Sequence, residues 1–185
     1  MIGAADIACG IRGAWRLAQR REDGLALFDD TRTGFWRSFW ALALVAPGQI
    51  LIGIAGGLFS GPHGIFVPLS VQTIATIIDA VAFPLVMAPI ADEIGRRDHY
   101  MRFVVAYNWS AVVRMGLFVP TVLMSLTFPA THLLLPVVVL LLLFYQVYVA
   151  RTALAVSGLL GAGIVLLNVL LDMAVGLIAR GLVAG

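Results

Sequence analysis

Polar positions become scarce after residue 37, and where they fall divides the chain. Five apolar stretches, 38–59, 68–91, 103–124, 132–149 and 154–178, are separated by short breaks rich in Gly, Pro or charge. Each comes close to the roughly 20 residues a helix needs to cross a bilayer. None alternates with the period of two that a membrane-spanning strand requires, so the runs read as helices. The predicted fold is all-α: a polytopic transmembrane bundle of five spans over 38–185. It is preceded over 1–37 by an amphipathic basic helix and a linker.

In the N-terminal segment, Ile7, Ile11, Ala14, Trp15 and Ala18 share one helical face, and Arg12, Arg16 and Arg20 share the opposite one. The Arg residues interrupt the apolar run of Met1–Arg21, which argues against a cleaved leader. A basic face backed by Ile and Trp suits the headgroup layer of an anionic membrane. Arg12, Arg16, Arg20 and Trp15 are therefore the expected membrane-surface residues. In the linker 22–37, Gly24 and Gly34 are breakers, and Asp29, Asp30 and Thr31 are expected to form a turn or helix cap.

The polar residues inside the spans carry the candidate chemistry. The first span holds Pro47-Gly48, expected to kink it, and Gln49, with Gly53 and Gly57 spaced as a small-residue packing motif. The second carries Gln72, Thr76 and Asp79 at i, i+4 and i+7. The third carries Tyr107, Ser110, Arg114 and Thr121. The fourth has no polar side chain from Leu133 to Phe144 and should face lipid, with Tyr145, Gln146 and Tyr148 marking its end. A tight turn around Arg151 leads into the fifth, where Ser157, Gly161, Asn168, Asp172 and Gly176 form a small, polar face that should turn inward.

Asp79 lies 12 residues before Ala91, and Arg114 lies 12 after Arg102, on either side of the charged loop Asp92–Arg102. In antiparallel helices that places both charges ~18 Å from the loop, so an Asp79–Arg114 ion pair is expected to lock the bundle. Asp172 is then left protonated, hydrogen-bonded to Asn168, or facing a wet crevice. Asp79, Arg114, Asn168, Asp172, Gln49 and Gln72 make up the expected intramembrane polar cluster.

Composition agrees with the pattern. The chain has 185 residues, 61% hydrophobic and 12% charged, too little charge to cover the surface of a soluble domain. All 12 basic residues are Arg, which with abundant Ala, Gly, Leu and Val points to a GC-rich bacterial coding sequence. With five spans and the N-terminus inside, ten Arg fall on the inner side and only Arg180 on the outer, Arg114 being within the membrane. That bias predicts a multi-pass bacterial inner-membrane protein with a cytoplasmic N-terminus and a periplasmic C-terminus. The single Cys9 excludes an intrachain disulfide. Asp92, Glu93, Asp98 and His99 match no zinc spacing, and Arg96 and Arg97 would repel a cation, so no metal and no cofactor are expected. The spans hold no Ser/His/Asp set at matched depths and no phosphate-binding glycine loop, so no catalytic residue is assigned.

The layout resembles the Ypt-interacting-protein (Yip) superfamily over about Phe28 to Ile178. The stretches that carry the resemblance are Phe28-Asp29-Asp30-Thr31 leading into Phe39, Tyr107-Asn108-Trp109, and Tyr148 through Ala153. The acidic-aromatic signature of the eukaryotic members is missing, so small-GTPase binding is not carried over. The resemblance implies a non-enzymatic scaffold or adaptor that organises membrane proteins or lipids. The alternative is a small carrier or channel subunit that uses Asp79, Arg114 and Asp172 in an intramembrane polar pathway. The expected partners are the bilayer, with anionic lipid at the N-terminal helix, and a membrane protein or a second copy of the chain. No nucleic acid is expected. Reporter fusions at residues 63, 97, 129 and 185 should read outside, inside, outside and outside; an inside signal at 185 would overturn the five-span reading.

Overall fold

The structure, a computed structural model, describes residues 3–59 and 64–184. Helices account for almost all of it, and there is no strand among the described residues. The elements are α1 (Ala4–Ala18), α2 (Arg32–Ser38), α3 (Ala41–Ala55), α4 (Phe66–Glu93), α5 (Arg97–Thr127), α6 (Leu134–Leu154) and α7 (Gly158–Ala184). Five segments are long and apolar enough to cross a membrane: Arg32–Ala55, Phe66–Glu93, Arg97–Thr127, Leu134–Leu154 and Gly158–Val183. The break predicted between the first two spans lies in part outside the described residues.

The helices run further than the charge pattern suggested. The loop expected at Asp92–Arg102 shrinks to Ile94–Arg96, because α4 continues to Glu93 and α5 starts at Arg97. Gly95 sits at φ +66° and Arg96 N–H donates to the Ala91 carbonyl, so the chain reverses in three residues. Arg97 pairs with Asp92 across this turn at 2.9 Å. The turn expected around Arg151 lies instead at Ala155–Ser157. There Ala155 adopts the left-handed conformation (φ +53°), Val156 N–H closes on the Arg151 carbonyl, and Ser157 Oγ accepts from Leu160 N–H. Arg102 reaches across from α5 to donate Nε (3.1 Å) and Nη2 (2.9 Å) to the Ala153 carbonyl, satisfying the end of α6. Gly57 falls beyond α3, so Gly53 and Gly57 do not form a packing stripe within one helix. The close approach of α3 to α5 is made by Gly48, against Met115.

Before the first span, Thr31 caps α2 by accepting from Gly34 N–H at 3.2 Å. Asp29 accepts from Thr31, and the Thr31 hydroxyl and then its backbone N–H hold the Asp29 carboxyl below its usual range. The acidic cluster is thus a cap, as its residue types require.

Packing is uneven along the bundle. The buried core gathers toward the Gly95 and Ala155 turns: Phe83 and Met87 of α4, Phe103–Ala106 and Trp109 of α5, and Val149, Ala150, Ala153 and Leu154 of α6. Phe83 stacks against Tyr107 at 4.7 Å and meets Phe103 edge-on at 6.0 Å between ring centroids. α6 exposes Leu133, Leu134, Val137, Leu140, Leu141 and Phe144, the lipid-facing surface its composition predicts.

α1 is held against the bundle. Its buried residues are Gly10, Gly13, Ala14 and Leu17, and the Tyr145 hydroxyl of α6 donates to the Ala14 carbonyl at 2.8 Å. It therefore docks on α5 through Gly10 and on α6 through Ala14, with Gly13 against Gly24 and Phe28 of the linker, while Ile11 and Trp15 beside the seam stay exposed. Tyr145 is accordingly buried rather than a marker of the helix end. The basic residues divide: Arg16 and Arg21 share Asp23 at 3.0 Å, and Arg20 lies over the Tyr148 ring at 5.9 Å. Gly10 makes the seam possible, since a Cβ there would overlap the Trp109 ring. Gly10→Ala should lower detergent unfolding stability by about 1–3 kcal/mol despite its gain in helix propensity. Gly163→Ala, where the added Cβ meets nothing within 4 Å, should be neutral or stabilising by up to about 1 kcal/mol.

Candidate functional site

All five spans line one cavity of about 420 Å³. Gln49 comes from α3, Thr76 and Asp79 from α4, Tyr107, Asn108 and Arg114 from α5, Gln146 from α6 and Asp172 from α7. Apolar walls are supplied by Val45, Met115, Phe118, Val139, Leu142 and Leu143. A second cavity of about 510 Å³ lies toward the Arg180 end of α7 and shares Asp79 with the first; Gln72 lines this one and not the central one. Asp172 is likewise shared with a third space bounded by Gly176 and Arg180. Toward the Gly95 turn, the Phe83, Phe103 and Tyr107 rings close the bundle.

Asn168, only 1% exposed, organises one wall. Its Oδ1 accepts from the Tyr107 hydroxyl at 3.0 Å and from Gln146 Nε2 at 3.3 Å, and its Nδ2 donates to Asp172 Oδ1 at 2.9 Å. Three helices are thereby tied by one amide, which uses both acceptor directions and one of its two donors. On the opposite wall the Thr76 hydroxyl donates to Gln49 Oε1 at 2.7 Å and lies 2.9 Å from the Gln72 carbonyl. Asn108 Nδ2 donates to Ser38 Oγ at 2.8 Å, and Ser38 in turn to the Phe35 carbonyl at 2.7 Å, fixing α2 on α5.

The expected Asp79–Arg114 lock is not formed. Among the described residues, the ion pairs within 4.0 Å involve neither of these side chains. Asp79 Oδ1 and Arg114 Nε are both buried without a hydrogen-bond partner in the protein. The short turn supplies a reason. Counted from Gly95, Asp79 lies 16 positions back and Arg114 lies 19 forward, an axial offset of ~4.5 Å. Equal depth held only for the longer loop. Arg114 instead sets its guanidinium over the Tyr107 ring at 5.3 Å. Arg114, Asp79 and Asp172 all line the same cavity.

Of the six residues expected in the polar cluster, five behave as one site: Asp79, Arg114, Asp172 and Gln49 line the cavity, and Asn168 braces it. Tyr107 and Thr76 join them from their predicted stripes. Gln146 and Asn108 were missed, the first because it sits beside two tyrosines that resemble an interfacial belt. Its signal was that an amide in so apolar a helix must find a partner inside.

Because Asp79 has no ion pair to lose, Asp79→Asn should leave unfolding stability in detergent unchanged or raise it; a locking pair would make it fall by about 3 kcal/mol. Asn168→Leu strands Tyr107, Gln146 and Asp172 and should cost about 1–3 kcal/mol. A double-mutant cycle of Tyr107→Phe with Asn168→Leu should show coupling of at least about 0.5 kcal/mol.

Comparison with protein-family models, curated proteins and solved structures finds no match, so the site is read from its own geometry.

Proposed function

We propose that this multi-pass membrane protein is a small carrier of the bacterial inner membrane, with its Arg-rich turns cytoplasmic, and that the central cavity binds its solute. One observation carries this reading. A cavity walled by all five spans gathers Asp79, Arg114 and Asp172 without pairing Asp79 to Arg114. Charges kept only for stability would be paired, because a lone charge at this depth is costly. Charges left facing a polar, roomy space are poised to meet a ligand or water. The scaffold role implied by the Yip-like layout gives these groups no task.

The charge set also speaks to solute class. One guanidinium and two carboxylates complement a small zwitterion, with its carboxylate at Arg114 and its ammonium at Asp79 or Asp172. The second carboxylate is then free to take a proton, the ordinary means of coupling uptake to a proton gradient. The cavities that share Asp79 and Asp172 toward Arg180 supply an approach from one side, and the aromatic layer closes the other.

The test is reconstitution of the full chain into liposomes under an imposed pH gradient with a radiolabelled amino-acid mixture. Wild type and Gly163→Ala should accumulate label; Asp79→Asn and Arg114→Gln should not. In parallel, Ala111→Cys on a Cys9→Ser background should react with an impermeant thiol reagent added on the Arg180 side. Label at the level of empty vesicles, together with an unreactive Ala111→Cys, would overturn the carrier and favour the scaffold.

A further inference from the structure

A groove of about 690 Å³ runs along the bundle surface where α1 lies against α5 and α6. Ile11, Trp15 and Ala18 of α1 form one wall, and Leu141, Phe144 and Tyr148 of α6 the other. The floor is α5 at Val112, Val113 and Gly116. It is separate from the central cavity in all but Leu142, which borders both. Gly116 gives the floor its depth, since a Cβ built there meets nothing within 4 Å.

The groove is almost wholly apolar, and its charged residue stands at one end. Arg20 closes α1 with its guanidinium over Tyr148. No carboxylate lies within 4.0 Å of Arg20 among the described residues, in contrast to Arg16 and Arg21. From Tyr148 the groove descends along α6 to Leu141, about 10 Å of helix, toward the middle of the span. Its rim residues Trp15, Leu117, Leu141 and Phe144 are exposed and continuous with the apolar flank of α6 that faces lipid.

We propose that this groove is a binding site for one anionic phospholipid, its acyl chain lying over Gly116 between α1 and α6 and its phosphate at Arg20. The shape and the charge argue together. A slot open to the hydrocarbon phase is filled by hydrocarbon. Among the described residues, the unpaired charge at its mouth is cationic, Arg20 over Tyr148, with Trp15 on the same groove; Tyr and Trp are side chains that settle at headgroup level. A second protein segment would have to bury Arg20 without a carboxylate from this chain, whereas a phosphate meets it with charge-assisted hydrogen bonds. The lipid would complete the docking of α1, whose seam uses only Gly10, Gly13, Ala14 and Leu17. The site does not depend on the carrier reading.

Native mass spectrometry of the full chain in mild detergent tests this, with palmitoyl-oleoyl phosphatidylglycerol and the phosphatidylcholine of the same chains as probes. One phosphatidylglycerol should be retained per chain, about fivefold better than phosphatidylcholine. Arg20→Gln should remove that preference, and Gly116→Phe should displace the lipid altogether. Equal retention of the two lipids by the wild type, or wild-type retention by Gly116→Phe, overturns the proposal. A wild-type dimer that Gly116→Phe converts to monomer overturns it too, by giving the groove to a second copy. If Gly116→Phe does not elute as a folded species, quenching by brominated-chain phosphatidylglycerol decides instead. In a Trp36→Phe/Trp40→Phe background, which keeps Trp15 and the buried Trp109, quenching that Trp15→Phe abolishes supports the site, and quenching that survives Trp15→Phe overturns it.

Discussion

The amide of Asn168 holds the membrane part of this protein in register. A bilayer offers no water to a stray polar group, so a buried amide must find its partners among neighbouring helices. Asn168 finds Tyr107 on α5, Gln146 on α6 and Asp172 on its own helix. Those bonds fix how α5, α6 and α7 are rotated about their axes. Arg114 follows Tyr107 by two helical turns and Asp172 follows Asn168 by one, so the same rotation turns both toward the cavity. The site is thus a consequence of the brace, and its charges require no direct bond to each other.

A second constraint is the contrast between the two halves of the bundle. Toward the Gly95 and Ala155 turns, aromatic and small side chains fill the space between helices, and α1 is pinned on by Gly10 against Trp109 and by the Tyr145 bond to Ala14. Toward Arg180 the helices enclose cavities. Large apolar groups meet at the filled end, while Asp79 and Arg114, which do not pair, line the open one. The prolines inside helices, Pro47, Pro84, Pro89 and Pro120, each remove a backbone donor, and the helices continue through them.

Much of this was legible in the sequence. The five spans follow from the length of the apolar runs, and polar residues such as Thr76, Tyr107 and Asn168 turned inward because lipid leaves them nowhere else to go. The errors have physical causes. Charge alone suggests a loop over 92–102, but Asp98 and Arg102 lie on helix: the ends of membrane helices project into water, where charge is no breaker. That shortened turn moved Arg114 by most of a helical turn relative to Asp79. Hydropathy does not reveal how α1 docks: the apolar face of Ile11 and Trp15 stays exposed, and the seam lies beside it. Glycine scores poorly on a hydrophobic scale, yet Gly10 and Gly13 permit the closest approach. Gln146 was hidden for a related reason, since one amide beside two tyrosines resembles an interface from composition alone.

The aromatic layer of Phe83, Phe103 and Tyr107 has an electrical consequence. A membrane potential falls where the dielectric is low, and a water-filled vestibule shortens that stretch. If the open half fills with water, as the carrier reading requires, the drop concentrates between Asp79 and Arg114 and the Gly95 turn, across a septum only a few side chains thick. Moving one elementary charge through the whole of it is worth about 2.3 kcal/mol per 100 mV. Asp79, Arg114 and Asp172 stand at its edge, where small displacements cross a large share of the field. On the carrier reading, a bundle tight at one end and loose at the other would act as a capacitor with its charges placed at the thin plate.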